Sequence, residues 1–329
     1  MSAPKDKILV TGGAGYIGSV LVGLLLADGY QVRVIDNLMY GQKSLDIYKG
    51  SRGLESIYGD IRDEKDVKKS LEGVNKVVHL AAIVGDPACE KRTDLATETN
   101  KEASELLFKK SSDSGISRFV FASTCSNYGR MADHNSFVEE TSELKPISHY
   151  ARFKVEFERF LLSERKQKMK SVVLRFATAY GLSPRPRLDL TLNEFTATLA
   201  AGETLQVYGE QFWRPYAHTH DLARAVILAL EAEPTKVSGR AFNVGTTEEN
   251  YQKKKLVELI LDRIPEANNK VEYVKKDEDP RDYRVNFDLI KSTLGFKGKK
   301  NVENGISEII LAVQSGQMGN LKDPVYRNN

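Results

Sequence analysis

Tyr150 and Lys154 stand four residues apart in a stretch with helical spacing. On a helix, this separation places the two side chains on one face, one turn apart. A tyrosine, with a reference pKa of about 10, is a poor base at neutral pH, but a neighbouring lysine cation stabilises the phenolate and lowers that pKa. Such a pair is usually only two boundary residues. Because a glycine loop precedes it in the chain, we interpret it as a catalytic base that takes a proton from a hydroxyl group.

A further hydroxyl group comes from a predicted strand that ends at Thr124. Residues 119–122 of this strand are apolar, whereas Ser123 and Thr124 are polar. The carboxyl ends of parallel strands open into the ligand crevice of an α/β sheet. We therefore expect Thr124 to hydrogen-bond the reacting hydroxyl and to share its proton with Tyr150.

Three glycines follow the first predicted strand and open a helix, at Gly12, Gly15 and Gly18. In this position the triplet is a strong signal for a dinucleotide, whereas alone it would be weak. The first glycine permits a tight turn, the second lets backbone N–H groups approach a pyrophosphate, and the third lets the helix pack closely on the strand. The phosphates then lie at the positive end of the helix.

A carboxylate, Asp36, ends the second predicted strand, eighteen residues beyond Gly18. A carboxylate at this place accepts hydrogen bonds from ribose hydroxyls and repels a 2′-phosphate, which favours NAD over NADP. Asp60 and Ile61 close the third strand and are placed to meet the adenine edge. The alternative, that the glycines are ordinary turn residues and Asp36 a helix cap, does not account for the strand, the spacing and the acid together.

The elements that must position these residues alternate between strand and helix. Short runs of Val, Ile and Leu separated by helix-length segments are typical of parallel βαβ units. The predicted strands are 8–11, 31–36, 54–59, 76–81, 118–124 and 171–176, and the predicted helices are 16–27, 98–114 and 150–163. The pattern predicts an α/β fold with a doubly wound parallel sheet.

The pattern changes after Gly181, where the chain becomes rich in proline and arginine and then mixes short helices and strands. We predict that residues 1–181 form the dinucleotide-binding domain. Residues 182–329 then form a smaller α/β substrate domain, from which some later segments return to the first sheet.

The composition of the chain limits the kinds of binding partner and cellular compartment that can be expected. The 48 basic and 45 acidic residues leave a net charge of only +3, which gives no reason to expect a nucleic acid or a membrane. No apolar stretch reaches about 18 residues, so we expect neither a membrane span nor a signal peptide. Cys89 and Cys125 are too few for a disulfide framework or a zinc site, so no metal is expected and a reducing cytoplasm fits best.

These residues, in this order, resemble the extended short-chain dehydrogenase/reductase superfamily, specifically the NAD-dependent epimerase/dehydratase family that acts on nucleotide sugars. The matching elements cover nearly the whole chain and are TGGAGYIG from Thr11, Asp36, Asp60-Ile61, the HLAA motif from His79, Asn100, Ser123-Thr124, Tyr128-Gly129, Tyr150 with Lys154, and Leu174-Arg175-Phe176. The resemblance implies a Rossmann-type fold, NAD as cofactor and a UDP-, GDP- or dTDP-linked sugar as substrate. It also implies oxidation at sugar C4 and a homodimer.

The resemblance also implies which residues contact each ligand. The cofactor set is Gly12, Gly15, Tyr16, Ile17, Gly18, Asp36, Asn37, Asp60, Ile61, Leu80, Ala81, Ala82, Asn100, Ser123, Tyr150 and Lys154. The substrate set is Thr124, Thr178, Arg185, Arg187, Asn193, Arg214 and Arg281. Arginine suits a diphosphate because its planar fork meets phosphate oxygens bidentately. Arg185 and Arg187 either clamp the diphosphate or lie in a solvated loop paired with Asp189. Phe212 and Trp213 either stack on the base or cover the pocket.

Several reactions stay open within the family. The DNLMYGQ and SPRPRLDL segments and residues 279–283 resemble a bacterial branch that includes GDP-heptose 4-dehydrogenases, while UDP-sugar 4-epimerases are the better-known relatives. Members that remove water across C4 to C6 follow the strand-end threonine with an Asp-Glu pair. Here Cys125 and Ser126 stand in that place, which disfavours a dehydratase, although Cys125 as a weak acid is an alternative to its being a small buried residue. His134 alone is weak support for a 3,5-epimerising synthase.

The leading hypothesis is therefore an NDP-sugar 4-epimerase. The alternatives are an NDP-sugar 4-dehydrogenase of the GDP-heptose type and an NDP-sugar dehydratase. A rival from another class is an NAD-binding sensor or scaffold without catalysis, which the presence of both Tyr150 and Lys154 disfavours. The apolar spacing of Phe153, Phe157 and Leu161 fits either a dimer interface or packing on the sheet.

Overall fold

The computed structural model describes residues 5–41, 43–131, 133, 136–164, 168–275 and 281–328. Its strands, in chain order, are β1 (Lys7–Thr11), β2 (Gln31–Asp36), β3 (Leu54–Tyr58), β4 (Lys76–His79), β5 (Arg118–Thr124), β6 (Lys170–Phe176), β7 (Thr178–Tyr180), β8 (Leu205–Tyr208), β9 (Trp213–His218), β10 (Arg240–Val244), β11 (Asn250–Gln252) and β12 (Val271–Val274). Seven of them form one parallel sheet in the spatial order β10-β6-β5-β4-β1-β2-β3.

Some of the helices flank this sheet, and others belong to a smaller lobe that contains the strands β7, β8, β9, β11 and β12. In chain order they are α1 (Tyr16–Ala27), α2 (Glu64–Leu71), α3 (Asp86–Lys91), α4 (Thr93–Thr97), α5 (Ala103–Asp113), α6 (His149–Ser163), α7 (Thr191–Ala200), α8 (Thr219–Glu231), α9 (Pro234–Val237), α10 (Lys253–Leu261), α11 (Asp288–Leu294) and α12 (Val302–Gln314). In the described part of the chain, none is both long and apolar enough to cross a membrane.

The alternation of side chains along each strand divides the core into two layers. Ile8 and Val10 of β1 pack with residues of α1 and α8 on one face, whereas Leu9 packs with residues of α2, α5 and α6 on the other. Because both faces of the sheet are covered by helices, its central strands are largely apolar, and the predicted doubly wound Rossmann-type fold is confirmed.

The elements depart from the sequence prediction in several places; β4, for example, ends at His79 and not at residue 81. The predicted helix 98–114 is longer and broken, because α4 leads through a π-helical turn at Glu98–Glu102 into α5. Such a turn inserts an extra residue into the helical ladder and is common near functional sites. Helix α2, which the sequence pattern did not predict, begins at an Asp63 side chain that accepts hydrogen bonds from two backbone N–H groups.

The smaller lobe contains a three-stranded sheet, β11-β9-β7, and the parallel pair β12-β8. Its apolar core joins α7, α10 and α12, with Leu192, Ile260 and Ile306 fully buried. Strand β10 comes after residue 181 and yet is the edge strand of the large sheet, beside β6. The division of the chain at residue 181 remains a prediction.

Candidate functional site

The glycine loop between β1 and α1 has no room for side chains. Gly12 has a φ of +70°, and a Cβ atom there would lie 2.7 Å from the backbone nitrogen of Ala81. At Gly18, a Cβ would lie 2.2 Å from the carbonyl oxygen of Gly12. Gly15 precedes α1, whose first turn has no side-chain cap. Gly15 also lines a cavity of about 640 Å³. The uncapped N–H groups of the helix therefore face a space that suits a pyrophosphate.

The carboxylate of Asp36 is held at the end of β2. Its two oxygens accept hydrogen bonds from the backbone N–H groups of Ala14, at 3.0 Å, and Leu38, at 2.9 Å. Burial raises the pKa of Asp36, while these N–H groups and the Arg185 guanidinium act in the opposite direction. A carboxylate in the cavity wall beside the glycine loop is the acceptor that a ribose diol requires, so the residues present fit NAD.

Helix α6 carries Tyr150 and Lys154, the predicted catalytic pair, into the same cavity. The helix is capped by Ser148, whose hydroxyl accepts a hydrogen bond from the Ala151 N–H group. Lys154 is 5% exposed, and its ammonium donates to the Ala122 carbonyl oxygen at 2.8 Å. This nitrogen also lies 5.8 Å from the centre of the Tyr150 ring. Both side chains line the cavity, as does Thr124 at the end of β5.

The electrostatics of this pair differ from the sequence-based expectation. Burial lowers the pKa of Lys154 to about 7 and raises that of Tyr150 above its ordinary value. In the protein by itself the pKa of Tyr150 is therefore raised and not lowered, because the loss of hydration outweighs the influences that favour the phenolate. Arg187 is the cation that acts on Tyr150 in the lowering direction. Positive charge from a ligand would add to that effect.

One cavity of about 640 Å³ brings most of the predicted residues together. From the cofactor set it is lined by Gly12, Gly15, Tyr16, Ile17, Gly18, Asp36, Asn37, Asp60, Ile61, Leu80, Ala81, Ala82, Ser123, Tyr150 and Lys154. From the substrate set it is lined by Thr124, Thr178, Arg185, Arg187, Arg214 and Arg281. Asn100 and Asn193 are the two predicted contacts that the structure places outside the cavity wall.

These two asparagines are engaged by the protein itself. The Asn100 amide accepts from the Ile83 N–H group at 2.8 Å and donates to the Ile83 carbonyl at 2.9 Å. Asn193 accepts from the Gly181 N–H group at 2.9 Å and donates to the Arg187 carbonyl at 2.8 Å. Both are at most 4% exposed. Each therefore positions a loop of the cavity, and direct contact of either asparagine with a ligand remains a prediction.

The cavity wall also contains side chains that the sequence pattern did not single out as ligands. They include Tyr40, Asp86, Glu194, Tyr283, Arg327 and Asn328. Tyr40 and Tyr283 belong to segments that carried the family resemblance, which was the available signal. Asp86 forms an ion pair with Arg281 at 3.0 Å. Arg327 and Asn328 reach the cavity from the far end of the sequence, so that no local pattern could reveal them.

The sequence allowed two alternative roles for several side chains. Their burial and position in the structure favour one of the two. Cys125 is 1% exposed, its Sγ donates to the Arg175 carbonyl, and it is absent from the cavity wall, which agrees with a small buried residue. Arg187 and Asp189 do pair, at 2.6 Å, but in the cavity wall and not in a solvated loop. Trp213 stacks on Arg284 outside the cavity. His134 and residues 279–280 lie outside the described residues.

Comparison with known proteins identifies the family. The NAD dependent epimerase/dehydratase family model matches residues 8–245. The chain belongs to this family. This family consists of NAD-dependent enzymes, which confirms the prediction of an enzyme that uses NAD. The sequence resemblance is thereby confirmed as well.

Relatives of the chain include 4-epimerases and a 4,6-dehydratase. A probable UDP-arabinose 4-epimerase of Oryza sativa subsp. japonica is 30% identical over 84% of this chain and 73% of its own length. The structure of a UDP-glucose 4-epimerase of Thermotoga maritima with UDP-glucose is 29% identical, with a TM-score of 0.83 over 94% of this chain and 99% of its own. The dTDP-glucose 4,6-dehydratase DesIV of Streptomyces venezuelae, solved with NAD bound, is 27% identical, with a TM-score of 0.86 over 97% and 99%.

The close fit at Gly12 leads to an expected loss of NAD binding in Gly12→Ala. The new methyl group would meet Ala81 backbone atoms at 2.7 and 2.8 Å, in addition to the strain of a positive φ. Gly73→Ala is the matched control, because Gly73 has a φ of +67° and a Cβ there would meet no atom of the described residues within 4 Å. We expect the control to lose about 1 kcal/mol of stability and to keep NAD binding. Calorimetric titration with NAD compares the two, and equal affinities would contradict the role of this contact.

The burial of Lys154 leads to an expected pH dependence of stability. Its pKa is about 7 in the folded protein and 10.5 in the reference state. Between these values the unfolded chain holds the extra proton. A rising pH therefore favours the folded state, by at most about 1.4 kcal/mol per pH unit. The free energy of unfolding of the wild type, relative to that of Lys154→Met, should rise between pH 7 and 9. Urea unfolding measures it, and a flat or falling difference would be evidence against the lowered pKa.

Proposed function

We propose that this enzyme is a nucleotide-sugar 4-epimerase, which oxidises the sugar at C4 and reduces the ketone again on the opposite face. The observation that carries the proposal is a single cavity whose wall contains the glycine loop and Asp36 as well as Tyr150, Thr124 and several arginines. Two of the relatives described above are named 4-epimerases. A cavity that holds a dinucleotide and a sugar together suits a reaction that begins and ends with the same cofactor state.

The side chains of the site can be given distinct roles. Tyr150 takes the proton of the C4 hydroxyl and returns it when the ketone is reduced. Thr124, 9% exposed at the end of β5, hydrogen-bonds the same hydroxyl. Lys154 is fixed by the Ala122 carbonyl and, when protonated, stabilises the Tyr150 phenolate. NAD, held by the glycine loop and Asp36, would supply the hydride-transfer chemistry at the sugar carbon.

Arginines at the other end of the cavity suit the diphosphate of the substrate. Arg214 is 7% exposed, donates to the Trp213 carbonyl at 2.7 Å and lies over the Tyr283 ring at 5.5 Å. Arg281 is held by Asp86. Because these guanidinium groups are already positioned by the protein, little side-chain entropy is lost when they bind phosphate.

The residues after Thr124 favour epimerisation over dehydration. Elimination of water across C4 to C6 needs an acid and a base beside the sugar, yet Cys125 is buried and Ser126 is a hydroxyl that lies 3.3 Å from the Tyr283 hydroxyl. Burial raises the pKa of the Cys125 thiol, which makes it a poorer acid. A dehydratase is the second candidate, because DesIV has the same fold over 97% of this chain.

Product analysis in deuterium oxide distinguishes the reactions. The purified enzyme is incubated with UDP-, GDP- and dTDP-sugars, and products are examined by mass spectrometry and NMR. A 4-epimerase gives an isomer of equal mass without carbon-bound deuterium from the solvent. A product two mass units lighter indicates a 4-dehydrogenase, and loss of water with deuterium uptake indicates a dehydratase. NAD binding without any turnover would support the scaffold alternative.

We also propose that the enzyme is a cytoplasmic homodimer, as the family resemblance implies. Phe157 and Leu161 of α6 are at most 2% exposed and pack in the core beneath the sheet, so their spacing is explained within one chain. The proposal therefore rests on the resemblance and on the two buried free cysteines, which suit a reducing compartment. Light scattering during size-exclusion chromatography measures the assembly, and a monomer at micromolar concentration would contradict it.

A further inference from the structure

Three buried polar groups meet in one recess of the cavity, although they come from distant parts of the chain. Tyr40 follows β2, Arg185 lies between β7 and α7, and Asn328 lies at the far end of the described residues. We call this group the Tyr40–Arg185–Asn328 recess. The Arg185 guanidinium lies 4.6 Å from the centre of the Tyr40 ring, and Arg185 and Asn328 are 5% and 6% exposed.

Each of these residues has one buried polar atom to which no described residue offers a hydrogen bond. The atoms are the Tyr40 hydroxyl oxygen, Arg185 Nε and Asn328 Oδ1. A buried polar group left without a partner costs about 1–3 kcal/mol. Three such atoms in the wall of one cavity indicate a ligand that both accepts and donates hydrogen bonds. A phosphate accepts them and a ribose hydroxyl does both, so the set fits a nucleotide.

The position of the recess shows which nucleotide it faces. Ser183, two residues before Arg185, donates to the Tyr16 carbonyl oxygen at 2.7 Å, and its hydroxyl lies 3.1 Å from that of Ser19. The loop therefore lies on the first turn of α1, whose N-terminus belongs to the glycine loop. Arg185 also acts electrostatically on Asp36. Arg214 and Arg281, in contrast, are associated with Tyr283 and Asp86.

We infer that Arg185, Tyr40 and Asn328 bind the adenosine diphosphate half of NAD and not the diphosphate of the nucleotide sugar. This moves Arg185 from the substrate set to the cofactor set. The inference rests on NAD binding, which the family assignment gives, and is independent of the 4-epimerase proposal.

The segment that carries Asn328 is tied to the loop of Arg185 along its length. The Leu188 N–H group donates to the Tyr326 carbonyl at 2.8 Å, and Arg185 donates to the Arg327 carbonyl at 3.2 Å. The Asn328 N–H group donates to Asp189 at 3.2 Å. These bonds fix Arg185 and the backbone of Asn328 beside the site that we infer for the dinucleotide. This suits an enzyme that keeps its cofactor between oxidation and reduction.

The test measures NAD release and does not depend on turnover. The loaded enzyme is mixed with excess unlabelled NAD, and loss of radiolabelled NAD is followed over time for wild type, Tyr40→Phe, Arg185→Lys and Asn328→Ala. Tyr40→Phe removes only the hydroxyl and keeps the ring beneath Arg185. We expect each variant to release NAD about tenfold faster, which corresponds to about 1.4 kcal/mol. Lys322→Ala is the control, since that side chain is 76% exposed and pairs with Glu203 at 3.0 Å.

A parallel titration with UDP, GDP and dTDP separates the cofactor from the substrate. Unchanged nucleotide affinities together with faster NAD release support the inference. Weaker nucleotide affinities with unchanged NAD release would place the recess in the substrate site and overturn it. Unchanged values in both assays, with folding verified by circular dichroism, would show that the recess is only structural. Failure of the 4-epimerase proposal would leave the NAD release rates untouched.

Discussion

Replacement of Tyr150 by phenylalanine is expected to reduce turnover by about 10²–10⁴-fold, the usual contribution of a positioned acid or base. The variant keeps the aromatic ring in the cavity wall and loses only the hydroxyl that we propose exchanges a proton with the sugar. NAD binding should persist, because the glycine loop and Asp36 are untouched. Steady-state kinetics with the substrate found by product analysis give the turnover, and calorimetry gives NAD affinity.

Tyr58→Phe is the matched control for this experiment. Tyr58 ends β3 with 76% of its side chain exposed and is absent from the cavity wall. The same loss of a hydroxyl there should leave turnover within about twofold, since the Tyr58 side chain is exposed and does not line the cavity. If Tyr150→Phe also stayed within this range while NAD remained bound, the catalytic assignment would fail and the scaffold alternative would gain support.

Glu158→Ala is expected to lower the free energy of unfolding by about 3–5 kcal/mol. Glu158 lies one turn beyond Lys154 on α6 and is 1% exposed. Its carboxylate accepts hydrogen bonds from Arg175, at 3.0 Å from Nε, and from Ser123, also at 3.0 Å. Without the carboxylate, a guanidinium that is 4% exposed would be left without its counter-charge. Urea unfolding measures the loss.

Glu156→Ala on the same helix is the control for this stability measurement. Glu156 is half exposed and pairs with Lys101 at 3.1 Å. Exposed pairs of this kind contribute about 0–1 kcal/mol, because water screens the charges. Both variants place alanine on the same helix. The difference between their free energies of unfolding therefore measures the contribution of the buried Glu158–Arg175 pair and not helix propensity. A similar loss in both variants would show that the buried carboxylate has no special role in stability.

The sequence predicted those parts of the site whose signals are local. The glycines and Asp36 lie within one βαβ unit. Tyr150 and Lys154 lie one helical turn apart on α6. Local geometry therefore sets the relative positions of the residues within each group. The strands were recognisable because burial on both faces of a parallel sheet requires continuous apolar runs. Boundaries were less accurate where a π-helical turn interrupts the pattern before α5.

The remaining features depend on contacts between distant segments. Asn193 is predicted to contact the ligand, and the fold also holds its amide between Gly181 and Arg187, which no local pattern indicates. Asn328 enters the cavity because its backbone N–H group binds Asp189, a contact across 139 positions of sequence. The direction of the Tyr150 pKa shift likewise depends on how much water the folded site excludes, which no residue pattern reports.

The return of β10 to the large sheet has a consequence for how this protein can be divided. A fragment that ended at residue 181 would lack β10 and would leave the backbone edge of β6 unpaired. Unprotected edges of this kind recruit strands from other molecules and cause aggregation. A chimera of two relatives that exchanged only the residues after 181 would also replace β10 and would therefore disturb the large sheet. The two parts of the chain should be exchanged together.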